Sequence, residues 1–572
     1  MKNKGVTIIY GDVAPGAKED FAPTSSESKF DTLWQLQNNK LGVENYANPC
    51  EKYQTILDGT AEALPSDVEN ATVGLWSENL SEEDGYFAGP IVLSLKSSGQ
   101  YTSQGLTFTF DTLNDIYCTE LNIEWKRNGV KLHEEEFFPD SAQYFCQRFI
   151  ENYDELNITF YRINMPFNRL KLSVIDYGRG TEFYGDELRN VKLIQEIDPI
   201  SSEISINTAD FTLDSKSGDN YLFQKKQPLS VYFNGELKAT TFVKSAKRQA
   251  KFLWQVQSED YIGLLDSIPY YGGIYTNAYA VNIIEDIFSI AKIPYTVESD
   301  FSDVRVTGHI PYTTCRDALM QVAFAIQAVV DTSNADRVKI YALETDVKQT
   351  IPLNRIMQGQ NFSDDETVTG VEVTAHAYKP ISETLEAYDA SESGTGTDIF
   401  VKFSEPLHSL MITNGTIVSR GTNYAVINAN AGCVLMGKKY DHITQTKRKH
   451  NPLVLASEIE KIVAVENATL VSVNNIDNVL EKCYNWLIKV NTINLKIVEG
   501  KRNKYRSVKY GASKYGLFKY GREFVGVESD IPVEVGHTIK TETEYLDILQ
   551  GIVIKQVFNL NGGTIIKDTT MR

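Results

Sequence analysis

The sequence predicts a mainly β protein with α+β parts: an N-terminal β-sandwich or jelly roll, then β-barrels with an inserted α+β domain. Three observations carry this. The chain is rich in tyrosine and phenylalanine (31 and 26 of 572 residues), which suit pleated, half-buried surfaces. Short alternating runs recur every 8 to 12 residues with Asn-Gly turns between them, and helical periodicity is confined to a few segments. At 572 residues the chain exceeds what a single hydrophobic core supports, so several domains are expected.

Residues 1–70 are a mixed polar stretch, "APGAKEDFAPTSSES" among it, expected as an arm or peripheral cap. Residues 71–196 alternate through "GPIVLSLKSS", "LTFTFDT", "TELNIEWKRNGVKL" and "ELNITFYRI", with Asn128-Gly129 as a hairpin turn, and are expected as the sandwich. Residues 197–267 carry a second hairpin at Asn234-Gly235 and are expected as a first barrel. Residues 268–360 form the α+β part. In "AVNIIEDIFSIAKI", Val281, Ile284, Ile287, Phe288 and Ala291 make one apolar stripe. In "TTCRDALMQVAFAIQAVV", Thr314 as N-cap with Asp317 three residues on makes a helix start. Residues 361–572 are expected as a second barrel, with a polar loop at "DASESGTGTD" and a helical insertion over 451–492. That insertion combines "NPLVLASEIEKIVAVEN" with a helix whose face is Ile476, Val479, Leu480, Cys483, Trp486 and Leu487.

Composition excludes several function classes. A net charge of −19 opposes general binding to nucleic acid or anionic membrane, both of which are negatively charged. No basic stretch followed by an apolar one opens the chain, and no apolar run approaches the roughly 18 residues of a spanning helix, so cytosolic synthesis without stable membrane insertion is expected. The six cysteines lie far apart without a CxxC pair and read as free buried thiols.

Candidate chemistry is sparse. There is no GxSxG and no HExxH, and the seven histidines are scattered; His442 and His450 are the closest two, in what reads as a solvated loop rather than a zinc site. "GTGTDIF" lacks the ending of a phosphate loop. Asp111, Asn114 and Asp115 form an oxygen-rich loop of the kind that binds calcium in some jelly rolls, and ordinary turn chemistry explains them as well. Tyr101, Tyr153 and Tyr161 on the sandwich could stack on a sugar face or fill a core.

"SVKYGASKYGLFKYGREF", from Ser507 to Phe524, repeats Lys-Tyr-Gly at Lys509, Lys514 and Lys519, inside a stretch from Lys501 to Arg522 with eight basic residues and no acid. A five-residue spacing makes no stripe on a helix and changes face on a strand, so a serial-turn or extended-loop conformation is expected. Against an acidic background, Lys509, Tyr510, Lys514, Tyr515, Lys519, Tyr520 and Arg522 are expected at a contact with an acidic neighbouring subunit.

From about Ile194 onward the order of motifs resembles the baseplate hub family of phage tails and tail-derived bacteriocins (tailocins), which includes the N-terminal part of tail-associated lysins. Three pieces carry the resemblance. The first is "LSVYFNGELKATTFVKSAKRQAKFLWQVQSEDYIGLLD", with Asp260 in its closing turn. The second is the run with Gly308, Ile310, Pro311, Arg316, Ala318 and Leu319; the third is "KYGREF" before "VEVGHTIKTE" and "GIVIKQVFNLNGG". Residues 1 to about 193 depart from a minimal hub.

The resemblance implies two hub-like barrels per subunit in a homotrimeric ring that joins the tail tube to a spike or tip around the DNA and tape-measure conduit. The implied partners are the tail tube protein, the spike or tip protein, the tape measure protein and baseplate wedge proteins, and the location is the baseplate of a virion tail assembled in the bacterial cytoplasm. No lytic domain follows the hub-like part, so a structural, non-enzymatic protein is expected, with no catalytic residue, no cofactor, no metal and no specific nucleic-acid binding. The alternative is a carbohydrate-binding or glycan-cleaving surface protein acting on a host surface glycan through the N-terminal sandwich.

Overall fold

The computed structural model describes residues 5–14, 16–25, 46–47, 62–63, 75–112, 114–214, 223, 225–364, 366–454, 461–465, 469–489, 491–498, 502–512, 518–528, 532–542, 548–560 and 566–572. The chain forms two compact units, one of residues 8–183 with 219–230 and the other of residues 1–7, 184–218 and 231–572.

In the first unit, alternating apolar residues build an antiparallel sheet in the order Leu75–Trp76, Lys171–Asp176, Tyr86–Phe110, Gln143–Ile163, Cys118–Arg127, Val130–Phe137. Two strands are far longer than the usual five or six residues, Tyr86–Phe110 with 25 and Gln143–Ile163 with 21. Their pairing slips between Lys96 and Tyr101, and again at Ser103 and Gly105. Bulges of this kind bend a ribbon sharply.

Beyond the bend the ribbon faces itself. Phe108 and Phe110, at one end of the first long strand, meet Phe160 edge-on at 6.3 and 6.4 Å, although Phe160 is in register with Ile91 at the strand's other end. A sandwich core thus arises from one sheet folded over. At the fold Gly105 has φ +153°, and a Cβ there would lie 2.2 Å from the Cys146 carbonyl oxygen, so only glycine fits. Ala17 and Phe21, from the segment expected as an arm, are buried in the same core, with Phe21 stacked on Tyr177 at 4.7 Å. The Asn128-Gly129 turn has φ of 50° and 77°, as its hairpin requires.

The second unit is also mainly β. Eight strands follow one another as antiparallel neighbours: Glu236–Ala250, Leu253–Glu259, Thr208–Asp214, Leu188–Glu196, Ile548–Asn559, Ile566–Met571, Asn491–Val498 and Asn361–Asp364. Strands expected in two separate barrels therefore share one sheet, joined through Leu188–Glu196 from the end of the expected sandwich. Among the described residues no sheet closes into a barrel. The reason is a pairing that local pattern cannot carry: Leu188–Glu196 lies against Ile548–Asn559, and Glu196 is ion-paired with Lys555 at 2.6 Å across 359 positions of sequence.

The α+β part packs the helices Ala280–Ala291 and Cys315–Ile326 over small sheets. Thr314 caps the second helix by accepting from the Asp317 N–H at 3.2 Å, as its sequence predicts. The buried face of the first keeps Ile284, Ile287 and Phe288 of the expected stripe, with Ala280 and Ile283 buried and Val281 and Ala291 half-buried. A third sheet is built on the long antiparallel pair Gly370–Asp389 and Tyr424–His450.

Two expectations are corrected here. Residues 462–465 of the expected helical insertion form a strand, Ile462–Val465, parallel to Gly370–Val373, because the β-branched "IVAV" suits a ladder better than a helix. "DASESGTGTD" is not a loop throughout: Asp389 accepts from the Ser391 N–H at 2.7 Å to cap the helical turn Ala390–Ser393, and Gly396–Lys402 is a strand. The helix Ile476–Leu487 buries Ile476, Val479, Leu480, Cys483 and Trp486 as expected, with Tyr484 where Leu487 was expected. No helix among the described residues is long and apolar enough to cross a membrane.

Candidate functional site

The basic repeat lies in a two-stranded antiparallel ribbon, Arg502–Ala512 against Phe518–Glu528. This corrects the serial-turn or extended-loop expectation. Lys509 stands opposite Tyr520, Tyr510 opposite Lys519, and Ser507 opposite Arg522. A hairpin reverses the chain, so a five-residue repeat that cannot align on one element puts its first and third copies on adjacent rungs of two. Lys514 and Tyr515 lie outside the described residues.

The motif residues of the hub resemblance have architectural roles. Asp260 is almost fully buried and caps the helix Tyr261–Leu265, accepting from the Ile262 and Gly263 N–H groups at 3.0 and 3.2 Å. Its other oxygen accepts from the Asn207 N–H at 3.1 Å and from the Thr332 hydroxyl, so one carboxylate joins three distant segments. Burial pushes its pKa up to about 6 in spite of these hydrogen bonds. Gly308 has φ +155°, and a Cβ would sit 2.1 Å from the Thr469 carbonyl oxygen. The Arg316 guanidinium donates to the Ile204 carbonyl and lies 3.6 Å from Asp266, while Ala318 and Leu319 are fully buried.

Asp111, Tyr101 and Tyr153, among the metal and sugar candidates, are engaged by partners of their own. Asp111 is buried and accepts from the Asn114 N–H at 3.1 Å and from its side-chain amide at 2.9 Å, with the buried Lys171 ammonium 3.6 Å away. Its oxygens therefore serve a turn and an ion pair, while Asp115 occupies a left-handed turn position with φ 52°. Tyr153 is buried with its hydroxyl 3.0 Å from Ser103, and Tyr101 packs on Phe21 and donates to Asp20 at 2.9 Å, so these two form no exposed platform. His442 and His450 lie eight residues apart on one strand, roughly 27 Å at 3.4 Å per residue.

Instead His442 meets His376 on the neighbouring strand, ring nitrogens 2.9 Å apart, with Tyr378 stacked on His442 at 4.6 Å. Burial and the second imidazole hold His376 below the ordinary histidine range, and burial does the same to His309, whose Nε2 is 2.7 Å from Asn423 Oδ1. Among the described residues no group of three or more His, Cys, Asp or Glu is placed to hold a metal ion. The five described cysteines are free and buried, and desolvation raises the Cys118 thiol to about 12.

Two concave regions were not foreseen from sequence. A groove of about 630 Å³ is lined by Ile200, Phe301, Ile326, Leu343, Lys482 and Trp486. Burial lowers the Lys482 amine to about 8, and it donates to the Gln327 carbonyl. The second is a cleft of about 400 Å³ beside Tyr312 and Lys402, next to an aromatic cluster of Tyr271, Tyr312, Phe400 and Tyr424. Its rings come from positions successively 41, 88 and 24 residues apart, and "PYYGG" around Tyr271 is the local signal among them.

No family model matches the chain, and no curated protein matches it. Solved structures similar to it include the 43 kDa tail protein of prophage MuSo2 from Shewanella oneidensis, with 8% identity over 68% of this chain and 94% of that one and a TM-score of 0.39. A tail protein from Neisseria meningitidis MC58 is similar with 9% identity over 69% and 94% of the two chains and a TM-score of 0.38. Prophage tail protein gp18 from Listeria monocytogenes EGD-e is similar with 10% identity over 68% and 90% and a TM-score of 0.36. At these values none of them assigns a role to a residue of this chain; these three are tail proteins, two of them from prophages, and other similar structures are of type VI secretion proteins.

Proposed function

We propose that the chain is a structural subunit of a phage or phage-derived tail: the baseplate hub, a homotrimeric ring joining tail tube to spike or tip around the DNA and tape-measure conduit. The observation that carries this reading is the ordered set of three hub-like sequence pieces. The residues shared with the family are ones on which the architecture of this unit depends: Asp260 joins three segments, Gly308 admits the Thr469 carbonyl, and Arg316 holds Ile204. The role needs no catalytic residue. A net charge of −19 suits a wall around DNA, since like charge keeps the polyanion from adhering.

The ribbon of the basic repeat is the subunit contact of this reading, with Lys509, Lys514, Lys519 and Arg522 facing acidic groups of a neighbour and Tyr510, Tyr515 and Tyr520 packed against it. Tail tube, spike, tape measure and wedge proteins are the partners, and the virion tail baseplate, assembled in the bacterial cytoplasm, is the location.

Mass measurement of the isolated protein, with imaging of tail particles from producing cells, tests the reading. A trimer present at the tube–spike junction is expected; a monomer absent from tail particles overturns it. Changing Lys509, Lys514 and Lys519 together to Glu is expected to reduce trimers and tails at least tenfold without lowering the melting temperature. Normal assembly of that variant would remove the ribbon from the contact. The alternative, a glycan-binding N-terminal sandwich, loses its best support with Tyr153 buried and Tyr101 engaged.

A further inference from the structure

We infer that the aromatic platform of Tyr271, Tyr312, Phe400 and Tyr424 is a carbohydrate-binding site that takes the flat C–H face of a pyranose on its rings and the sugar hydroxyls in the adjoining cleft. The rings form a connected surface. Tyr271 and Tyr424 have centroids 4.5 Å apart, Phe400 and Tyr424 lie 5.6 Å apart and within 18° of parallel, and Tyr312 is 5.4 Å from Phe400. Tyr271 and Phe400 are about two-fifths exposed, 41% and 42%.

The site is built rather than incidental. The buried Asn423 amide donates to the carbonyls of Tyr271 at 2.9 Å and Ile310 at 2.8 Å, clamping the turn that carries Tyr424 to the loop that carries Tyr271. Gly272 has φ +61° with the Ile310 carbonyl oxygen 2.2 Å from where a Cβ would lie, and a Cβ on Gly421 would lie 2.5 Å from the Tyr424 ring. Both rings are thus held before any ligand arrives.

Chemistry selects the occupant. No hydrogen bond is recorded for the hydroxyls of Tyr271, Tyr312 and Tyr424 among the described residues, and the Lys402 ammonium contacts only the Tyr312 ring, at 4.9 Å. An apolar partner would strand these groups dry. The cleft also presents Asp266, half exposed beside Arg316, and the Thr313 hydroxyl oxygen, whose proton is donated to Asp317 at 2.8 Å and which can accept from a sugar. A proline-rich segment accepts hydrogen bonds but has few donors for such acceptors, and one lysine beside an aspartate makes a poor phosphate track. A polyol supplies donors and acceptors around a flat apolar face, and a cleft of about 400 Å³ lies within the usual range for small ligands.

The inference does not depend on a tail role, and the two can fail separately: a monomer absent from tails overturns the hub and leaves this site standing. The test uses the full chain on a glycan array of hexose, N-acetylhexosamine and uronic-acid oligosaccharides, followed by saturation-transfer NMR with the best binder. Transfer concentrated on C–H protons of one ring face is expected. Affinity should fall at least tenfold in Tyr424→Ala and about threefold in Tyr424→Phe, which keeps the ring and guards against loss of folding. Absence of array binding would overturn it, as would affinity unchanged in the folded Tyr271→Ala and Tyr424→Ala double variant. Capture of a decaproline peptide instead of sugars, or a platform variant that changes only the oligomer mass, would also overturn it.

Discussion

The two units solve the same problem, covering β-strands on both faces, by opposite routes. In the first, a single ribbon of two long strands folds over at Gly105 and packs Phe108 and Phe110 on Phe160. Of its other pairs, Cys118–Arg127 with Val130–Phe137 is a hairpin, while Leu75–Trp76 reaches Lys171–Leu172 and Ala22–Ser25 reaches Leu93–Lys96, separations of about 95 and 70 positions. In the second, the central ladder joins Leu188–Glu196 to Ile548–Asn559, and the carboxylate of Asp260 ties together residues 207, 260 and 332. Local pairing closes small loops at small entropic cost, whereas the second unit must bring its ends together before its central strands gain anything. The first unit is closed by joints spanning about 60 to 160 positions, the second by joints that reach 359.

The largest expected effect breaks the fold-over. Phe160→Ala should cost about 3–5 kcal/mol and accelerate hydrogen exchange at both ends of the long ribbon, with exchange in residues 188–214 and 236–259 unchanged. Protection lost at one end alone would mean that the halves do not share a core. A joint of the second unit comes next: Gly308→Ala forces a Cβ against the Thr469 carbonyl and should cost on the order of 3 kcal/mol, read as exposure of both 305–310 and 469–471. Unchanged protection of 469–471 would refute the joint.

Acid should separate the units by a smaller margin. His309 and His376 have folded pKa values below the ordinary 6.5, so the folded second unit binds fewer protons there than the unfolded chain, and stability falls as pH drops from about 7.5 through 6.5 and below. Each contributes at most about 1.4 kcal/mol per pH unit. Asp260 acts in the opposite direction: with its folded pKa raised from 3.8 to about 6, its contribution is full below 3.8 and is lost as pH rises through 6. Asp260→Asn should therefore steepen the acid loss between pH 6 and 4, and His309→Gln should flatten the loss between 7.5 and 6. Thermal melts across that range, followed by unit-specific exchange, would detect either; a slope unchanged in both variants would refute the assignments.

The smallest effects should be the same in both units. Gly129→Ala and Gly235→Ala each place a Cβ at positive φ, 77° and 85°, in an Asn-Gly hairpin, and each should cost about 1 kcal/mol by urea unfolding. A markedly larger cost at Gly235 would mean that even turns of the second unit carry long-range strain.

What was legible in the sequence followed the range of the interaction. Both Asn-Gly turns, the Thr314 cap and the buried face of Ile476–Leu487 were readable because each depends on residues within a few positions. The "IVAV" strand was misread as helix because its ladder partner, Gly370–Val373, lies about 90 positions away and no local pattern announces it. The first and third Lys-Tyr-Gly copies were misread as a loop because periodicity was applied to one element where the chain uses two. The aromatic platform was missed because its four rings come from segments that share no pattern.

By itself the sequence determined the mainly β class, the turns and caps, the free buried thiols, the acidic character and the order of hub-like motifs, since composition and short spacings suffice for these. Only the tertiary structure decided that strands of two expected barrels share one sheet, that Phe21 belongs to the first core, that His442 meets His376 rather than His450, and that the rings of Tyr271 and Tyr424 pack together. The physical reason is that pairing of distant strands gains its free energy from burial and hydrogen bonds formed only after the chain has closed, and such gains leave no periodic trace in either partner alone.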